Sequence, residues 1–425
     1  MKAIRQSHLL FLPYMTNLRQ LPIVMISMSR WDGDFSSAAW SLAKTFAKNQ
    51  PVIYVDYPYT LLDYFRERKK ATVIRRKPAL WWGKNSVNPL NSFGKFLYAL
   101  TPRLMIPVNW LPKGQIYRFL AGINDRILAS DIKRGLKSLG MNEFLFFNSF
   151  NPLYLSKLPK GFDPAFFIYQ SRDNIRALEP YLRKHGATAE IQAIKEADLS
   201  IVTSRQLQAD LTHLSGRTVH YLPNAAEFDT FKRAFLEKIP MPADLAEIPG
   251  PLIGYTGNIC HRSNYPLLAK ICEVHADKSF VMIGPRNHWS STDIDLDAIP
   301  NLYFLGPKPI ERLPDYLAHF DVLILPFLIN EVTKSIYPLK INEYLASGKP
   351  VVATPFSEDI KAFGGVIRLE ESPEKFASAI SEELKYDNAE KRAARHAVAS
   401  ENTWDNRTKE IWQMVENSLS SKQSG

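Results

Sequence analysis

Ser335, Lys340 and Glu343 put a hydroxyl, an ammonium and a carboxylate into one short stretch of this chain. The residues around them, 321–356, read DVLILPFLINEVTKSIYPLKINEYLASGKPVVATPF. Val322-Leu323-Ile324-Leu325 is an apolar run of buried-strand type that ends at Pro326. Residues 330–335 are polar and offer N-cap side chains, with Pro338 tolerated in the first turn of a helix over 337–347. Gly348 stands where a left-handed C-cap is expected, and Val351 and Val352 open the next strand. The loop and first turn then present backbone N–H groups and the positive end of a helix dipole, with Ser335, Ile336, Lys340 and Glu343 beside them. Such a place suits a ligand that carries phosphates and hydroxyls.

Other candidates sit at predicted strand ends. Gly257 opens the loop GNICHR, in which Asn258 and Arg262 are polar, and lets a backbone approach a ligand closely. Gly284 ends a strand at a position where bases or phosphates commonly bind, and Pro285 borders it. Asp173 follows a strand over 165–169 and offers a carboxylate, with helix capping as its alternative role. Residues 30–37 lie at a strand's carboxyl end and a helix start. Their Asp32-Gly33-Asp34 triplet has the form of a metal-binding pair, but it opens an α/β unit too early in the chain, and no metal is expected. The loop WDGDFSS is no GxGxxG fingerprint, so nothing calls for a nicotinamide cofactor. The two cysteines, Cys260 and Cys272, read as buried thiols rather than a disulfide or zinc framework.

The elements that position these residues alternate strand and helix twice over. Residues 22–26, 36–48 and 51–55 form an opening βαβ unit, and strands over 144–147, 165–169 and 199–202 continue it. A second alternation starts at 252–257 and passes through 280–285 and 302–306 to the stretch described above. The chain therefore reads as α/β with two Rossmann-like doubly wound domains, 1–230 and 231–403, a linker near 224–250, and a helix over 404–420 packing back on the first. Residues 422–425 read as a disordered tail.

Charge separates the halves. Residues 1–130 hold 19 Lys and Arg against 6 Asp and Glu, a balance of +13 in a chain of net +10. Much of the excess lies in RERKKATVIRRK, residues 66–77, followed by Leu80-Trp81-Trp82. Residues 96–120 mix aromatic, apolar and basic side chains with Pro102, Pro107 and Pro112, and read as an irregular subdomain. Two readings stand: a solvated basic surface, or a patch for an anionic membrane, where Trp and Tyr favour the interface. Nucleic acid ranks below both, since no known module accompanies the charge. No apolar run reaches the length of a spanning helix, and Leu9-Leu10-Phe11-Leu12 lacks the flanks of an export signal, so a cytoplasmic location is expected, including the cytoplasmic membrane face.

Pro338-Leu339-Lys340, Glu343-Tyr344-Leu345-Ala346 and Gly348-Lys349-Pro350-Val351-Val352 together resemble the nucleotide-sugar motif of the glycosyl transferases group 1 family, including those of bacterial surface polysaccharide synthesis. The resemblance implies the GT-B fold, a UDP- or GDP-linked sugar donor, no metal cofactor, and hexosyl transfer with retention to a glycan or lipid-linked acceptor. It implies that Glu343 accepts hydrogen bonds from the donor ribose. The family's second glutamate, eight positions earlier, is here Ser335. Arg262, with Lys340 second, takes the family's role of holding phosphates, while Asn258 stands where a basic residue is usual. Asp173 would orient an acceptor hydroxyl or balance positive charge. Residues 224–227 resemble the family's turn before the linker, with Ala225 in place of glycine. A sugar-nucleotide epimerase of the same fold and a non-catalytic scaffold are the alternatives.

Overall fold

The computed structural model describes residues 18–33, 37–286 and 294–423. They divide into two compact units: one holds the chain up to Thr203, Leu207–Leu222 and everything from Thr408, and the other holds Ser204–Gln206 with Pro223–Arg407. Asp34 and the run Leu9-Leu10-Phe11-Leu12 lie outside the described residues.

In the first unit eight strands form one sheet: β1 (Ile23–Ser27), β2 (Val52–Val55), β3 (Val87–Pro89), β4 (Leu97–Leu100), β5 (Leu145–Ser149), β6 (Phe166–Ser171), β7 (Leu199–Val202) and β8 (His220–Tyr221). Their order is β3-β4-β2-β1-β5-β6-β7-β8, parallel except for the antiparallel edge strand β3. Both faces of a parallel sheet are covered, so its strands are apolar throughout rather than alternating. Val24, Ile26, Ile53, Val55, Phe146 and Phe167 accordingly share one core.

Helix α1 (Ala38–Phe46) starts at Ser37, whose Oγ accepts from Trp40 N at 3.2 Å. Helices α2 (Leu61–Glu67) and α3 (Ala71–Trp82) follow β2, and the 24-residue α4 (Gln115–Ser138) precedes β5. The irregular segment expected over 96–120 is confined to residues 101–114, between strand β4 and helix α4. The prolines end at Pro112, before α4 begins. Beyond them Leu128, Ile132 and Leu136 recur every four residues and bury one helical stripe in the core.

Part of the basic run is turned inward. The Arg76 side chain is 6% exposed, pairs with Asp32 at 2.8 Å and with Asp56 at 3.0 Å, and so is not part of a solvated face. Asp56 also accepts from Thr101 Oγ1, and Asp32 pairs with the exposed Arg75 at 3.2 Å. Burial pushes the Asp56 carboxyl up against the pull of Arg76. With both oxygens of Asp32 held by arginine, the triplet reading at residues 32–34 finds Asp32 serving as an ion-pair partner.

The second unit has β9 (Leu252–Thr256), β10 (Ser279–Ile283), β11 (Leu302–Gly306), β12 (Val322–Leu325), β13 (Val351–Ala353) and β14 (Arg368–Leu369). Their order, β11-β10-β9-β12-β13-β14, is the dinucleotide-fold order 3-2-1-4-5-6, and every pair is parallel. Helix α5 (Tyr265–Val274) follows β9, and α6 (Leu339–Ala346) joins β12 to β13. The expected linker is packed instead: Phe231 and Leu245 are fully buried in this unit's core, on short helices that their apolar faces hold down.

Helix α7 (Trp404–Gln423) ends the description. From Thr408 it belongs to the first unit, where Trp412 meets Phe46 edge-on at 6.4 Å and Glu416 pairs with Arg19 at 2.5 Å. It runs past the predicted end, so Lys422 and Gln423 are helical rather than tail, while Ser424 and Gly425 lie outside the described residues.

The Arg76 cluster sets a stability test. Arg76→Ala leaves the buried Asp56 without an ion-pair partner and Asp32 with the exposed Arg75 alone, and is expected to cost about 3–5 kcal/mol in urea unfolding. Arg75→Ala, at an exposed side chain, is expected to stay within about 0.5 kcal/mol.

Candidate functional site

The strand order of the second sheet reverses between β9 and β12, and loops leaving their carboxyl ends diverge to opposite faces. The loop after β9 begins at Gly257 and the loop after β10 at Gly284. Gly257 N donates to Ile283 O at 2.8 Å, Ile259 N to Pro285 O at 3.0 Å, and Gly284 N to Gly306 O at 3.0 Å. Gly284 has φ +148°, and a Cβ there would stand 1.9 Å from the Gly257 carbonyl oxygen. Only glycine permits this approach. The loop after β12 joins the same edge: Leu328 N donates to Arg262 O at 2.8 Å, and Asn264 N donates to Pro326 O at 2.7 Å.

Helix α6 brings the charged groups. It starts at Leu339, two residues later than the sequence suggests, because Pro338 takes the N-cap position and carries no side-chain cap among the described residues. The polar residues expected to cap it are used earlier. Asn330 Oδ1 accepts from Val332 N and Thr333 N, both at 3.0 Å, and closes a 3₁₀ turn over Thr333–Ser335. The first turn of α6 is therefore left without a side-chain cap, with Ile341 N donating back to Pro338 O at 2.9 Å. Gly348 ends the helix with φ +70°, as the sequence predicts.

Lys340 lies against Gly257: its Cε is 3.1 Å from where a Cβ on Gly257 would stand. Its Nζ pairs with Glu343 Oε2 at 3.0 Å, one helical turn on. The Glu343 side chain is 3% exposed and that of Lys340 28%, so the carboxylate lies deep and the ammonium nearer the surface. Ser335 is fully buried, and its Oγ has no partner among the described residues; Asn258 Oδ1 is likewise unpartnered. Buried polar atoms are normally satisfied, so these two oxygens are available to a ligand. Arg262 contacts Cys260 Sγ through Nε at 3.4 Å and lies 6.0 Å from the Phe327 ring centre. Ile336 is half-buried behind Ser335, its N donating to Thr333 O. Both cysteines are buried, unpaired thiols.

The structure thus brings Gly257, Asn258, Gly284, Pro285, Lys340 and Glu343 to one sheet edge, with Arg262, Ser335 and Ile336 on the two loops that frame it. Asp173 belongs to the first unit. It is half-buried beyond β6, and the neighbouring cap of the turn Ile175–Ala177 is made by Asn174, not Asp173. Sequence reasoning missed Tyr344, which reads as ordinary core. Its Oη accepts from Thr256 N at 2.8 Å and faces Thr256 O at 3.2 Å, fixing α6 to the end of β9. Tyr255 Oη likewise donates to Asn258 O at 3.0 Å. A tyrosine on an otherwise apolar stripe, set one position after the acidic residue, is the signal that pointed there.

Two α/β units with these sheets define the GT-B fold, which solved structures share. Sucrose-phosphate synthase from Thermosynechococcus elongatus aligns with a TM-score of 0.62 at 13% identity, over 95% of this chain and 100% of that one. HepE of Anabaena, solved with UDP and glucose, aligns with a TM-score of 0.58 at 14% identity, over 95% and 100%. Residues 250–385, within the second unit, match the model of the glycosyl transferases group 1 family. A curated relative, the putative teichuronic acid biosynthesis glycosyltransferase TuaH of Bacillus subtilis, is 28% identical over 181 residues. That match spans 42% of this chain and 45% of the relative.

Proposed function

We propose that this protein transfers a sugar from a nucleoside-diphosphate sugar to a glycan or lipid-linked acceptor, with retention, in surface polysaccharide synthesis. The observation that carries the reading is the Lys340–Glu343 pair at an uncapped helix start against Gly257, in a domain of group 1 glycosyl transferase sequence. The relative's teichuronic acid role supports the polysaccharide context. Neighbours solved with UDP-glucose and with UDP-2-fluoro glucose support a nucleotide-sugar donor, with a UDP-linked sugar the first choice over a GDP-linked one.

In such a transfer the bond from the anomeric carbon to the diphosphate breaks, its electron pair leaving on phosphate oxygen. The acceptor oxygen bonds to that carbon and its proton passes to the departing diphosphate oxygen. Negative charge grows on the diphosphate while the sugar becomes oxocarbenium-like. Lys340, Arg262 and the N–H groups of α6 are the groups for that charge, and they need no metal to act. Glu343 takes the ribose hydroxyls, and the Ser335 and Asn258 oxygens accept from donor hydroxyls. Lys340 and Glu343 hold each other until the donor separates them, one to phosphate and one to ribose. Asp173 is the candidate on the acceptor side.

Mass-spectrometric product analysis with a panel of nucleotide sugars and a membrane lipid extract tests the activity. A glycosylated acceptor is expected, and its yield is expected to survive exhaustive EDTA treatment. A converted donor without transfer would identify an epimerase, tight donor binding with neither product a scaffold, and strict manganese or magnesium dependence would overturn the leaving-group assignment. Glu343→Ala removes charged hydrogen bonds of about 1.5–3 kcal/mol, so calorimetry should show nucleoside-diphosphate affinity falling more than tenfold. Unchanged affinity in a folded variant would take Glu343 out of the site.

We further propose that the first unit rests on an anionic membrane. Trp82, Trp110, Ile116 and Phe119 are 64–72% exposed, and Leu62, Phe65 and Ile74 add to them on α2 and α3. Leu61 and Trp81 join this surface to α4 through a shallow cavity of about 250 Å³, lined also by Leu104, Ile106 and Ile127. The exposed Arg66, Arg68, Lys69 and Lys70 stand among these side chains. Aromatic residues favour the interface, and each cation near it gains about 1 kcal/mol. Binding would be peripheral: among the described residues no helix is long and apolar enough to cross a membrane. Neutralising the four cations is expected to reduce co-sedimentation with phosphatidylglycerol liposomes, which salt should also weaken, and to leave nucleotide affinity intact. A wild-type protein that ignores such liposomes at low salt would sink the membrane contact.

A further inference from the structure

The first sheet has its own reversal of strand order, between β1 and β5. Open α/β sheets bind ligands beyond the carboxyl ends of their strands at such a point. Arg172, the residue after β6, reaches it: one Nη2 contacts Ser27 Oγ at 3.3 Å and Ser149 O at 3.4 Å, at the last residues of β1 and β5. Its guanidinium stands 5.8 Å from the ring centre of Phe150, a buried residue held at φ +63°. Arg172 is half-buried, and among the described residues no carboxylate comes within ion-pair distance of it; Asp173 acts only from further away. Other arginines of this unit differ. Arg76 is matched by Asp32 and Asp56, Arg103 by Asp131 at 2.8 Å, and Arg176 by Glu190 at 3.2 Å. Burial pushes the Arg172 pKa down, against the pull of the Asp173 carboxylate.

The surroundings are rich in hydroxyls. Ser27 Oγ lies 3.3 Å from Ser29 Oγ, which in turn lies 2.9 Å from Ser37 Oγ and 2.7 Å from Tyr54 Oη. Asn151 Nδ2 donates to Ser27 O at 3.1 Å, while its Oδ1, on a side chain from a residue 1% exposed, has no partner among the described residues. An arginine lacking an anion and an amide oxygen lacking a donor therefore stand on either side of Ser27.

We propose that this crevice binds an oxyanion that also carries hydroxyls, a sugar phosphate or a sugar carboxylate, with Arg172 on the anionic group and Asn151 Oδ1 on a hydroxyl. The guanidinium fork suits either anion, and the charge makes its hydrogen bonds stronger than neutral ones. Taken with the transfer reaction, on which this extension rests, the site makes the acceptor anionic at the sugar held by the first unit.

The test titrates the full-length protein, without donor and at constant ionic strength, with glucose 6-phosphate, with glucuronate, and with glucose as the neutral control. At least one anion is expected to bind saturably where glucose does not, and the one that does separates a phosphate from a carboxylate acceptor. Arg172→Gln should weaken that binding tenfold or more, and Arg172→Lys by less. Asn151→Asp, which supplies the missing carboxylate beside Ser27, should abolish it even if Arg172→Gln fails to fold. Uridine diphosphate affinity, measured on the same variants, should not change. Anions that bind no better than glucose, or binding that Arg172→Gln and Asn151→Asp both leave intact, overturns the site. Loss of uridine diphosphate binding by wild type would instead strike the transfer reading and leave the anion site standing.

Discussion

The second unit's site depends on one close approach of backbone to backbone. Gly284 carries its N–H to Gly306 O while the Gly257 carbonyl occupies the space where any side chain on Gly284 would stand. Lys340 lies against Gly257 in the first of these loops, its Cε 3.1 Å from where a Cβ there would stand. Tyr344 then ties α6 to Thr256 at both its N–H and its carbonyl. The position of the helix follows from that contact, since α6 cannot shift without breaking two hydrogen bonds to β9.

Charge is handled in opposite ways in the two units. The second holds a deep carboxylate with an ammonium of its own, a pair that a ligand with both anionic and hydroxyl groups can exchange for its own contacts. The first holds an excess of cations. Arg76 shows that some of this excess is structural, since removing it would strand Asp56 in the core. Among the described residues the exposed Arg66, Arg68 and Lys69 have no ion pair, and Lys70 has only Glu67 at 3.4 Å. Arg172, which bonds Ser27 and Ser149, has no carboxylate at ion-pair distance among those residues. A unit whose unmatched cations lie both on an apolar surface and at its sheet's switch point is suited to meeting anions in two places.

These features fit one chemical scheme. The stretch that matches the glycosyl transferase model holds a cation, an uncapped helix start and a buried carboxylate within one turn of each other. Serine at position 335 offers a short hydroxyl where the resemblance leads one to expect a carboxylate, and its buried oxygen has no partner among the described residues.

By itself the sequence determined the two α/β alternations, the strand–loop–helix–strand that carries Lys340 and Glu343, and the left-handed cap at Gly348, because apolar runs and turn residues act over a few positions. Cys260 and Cys272 were legible as buried thiols for the same reason. Tertiary structure decided what distance along the chain conceals. Asn330 closes its own turn instead of capping α6, Phe231 and Leu245 convert an apparent linker into core, and the prolines before Gln115 mask a 24-residue helix. The pairing of Arg76 with Asp32 and Asp56, the tie from Tyr344 to Thr256, and the unmatched Arg172 are likewise contacts between residues from 20 to 145 positions apart. Composition counts such groups, but only the fold says which cation already has its anion.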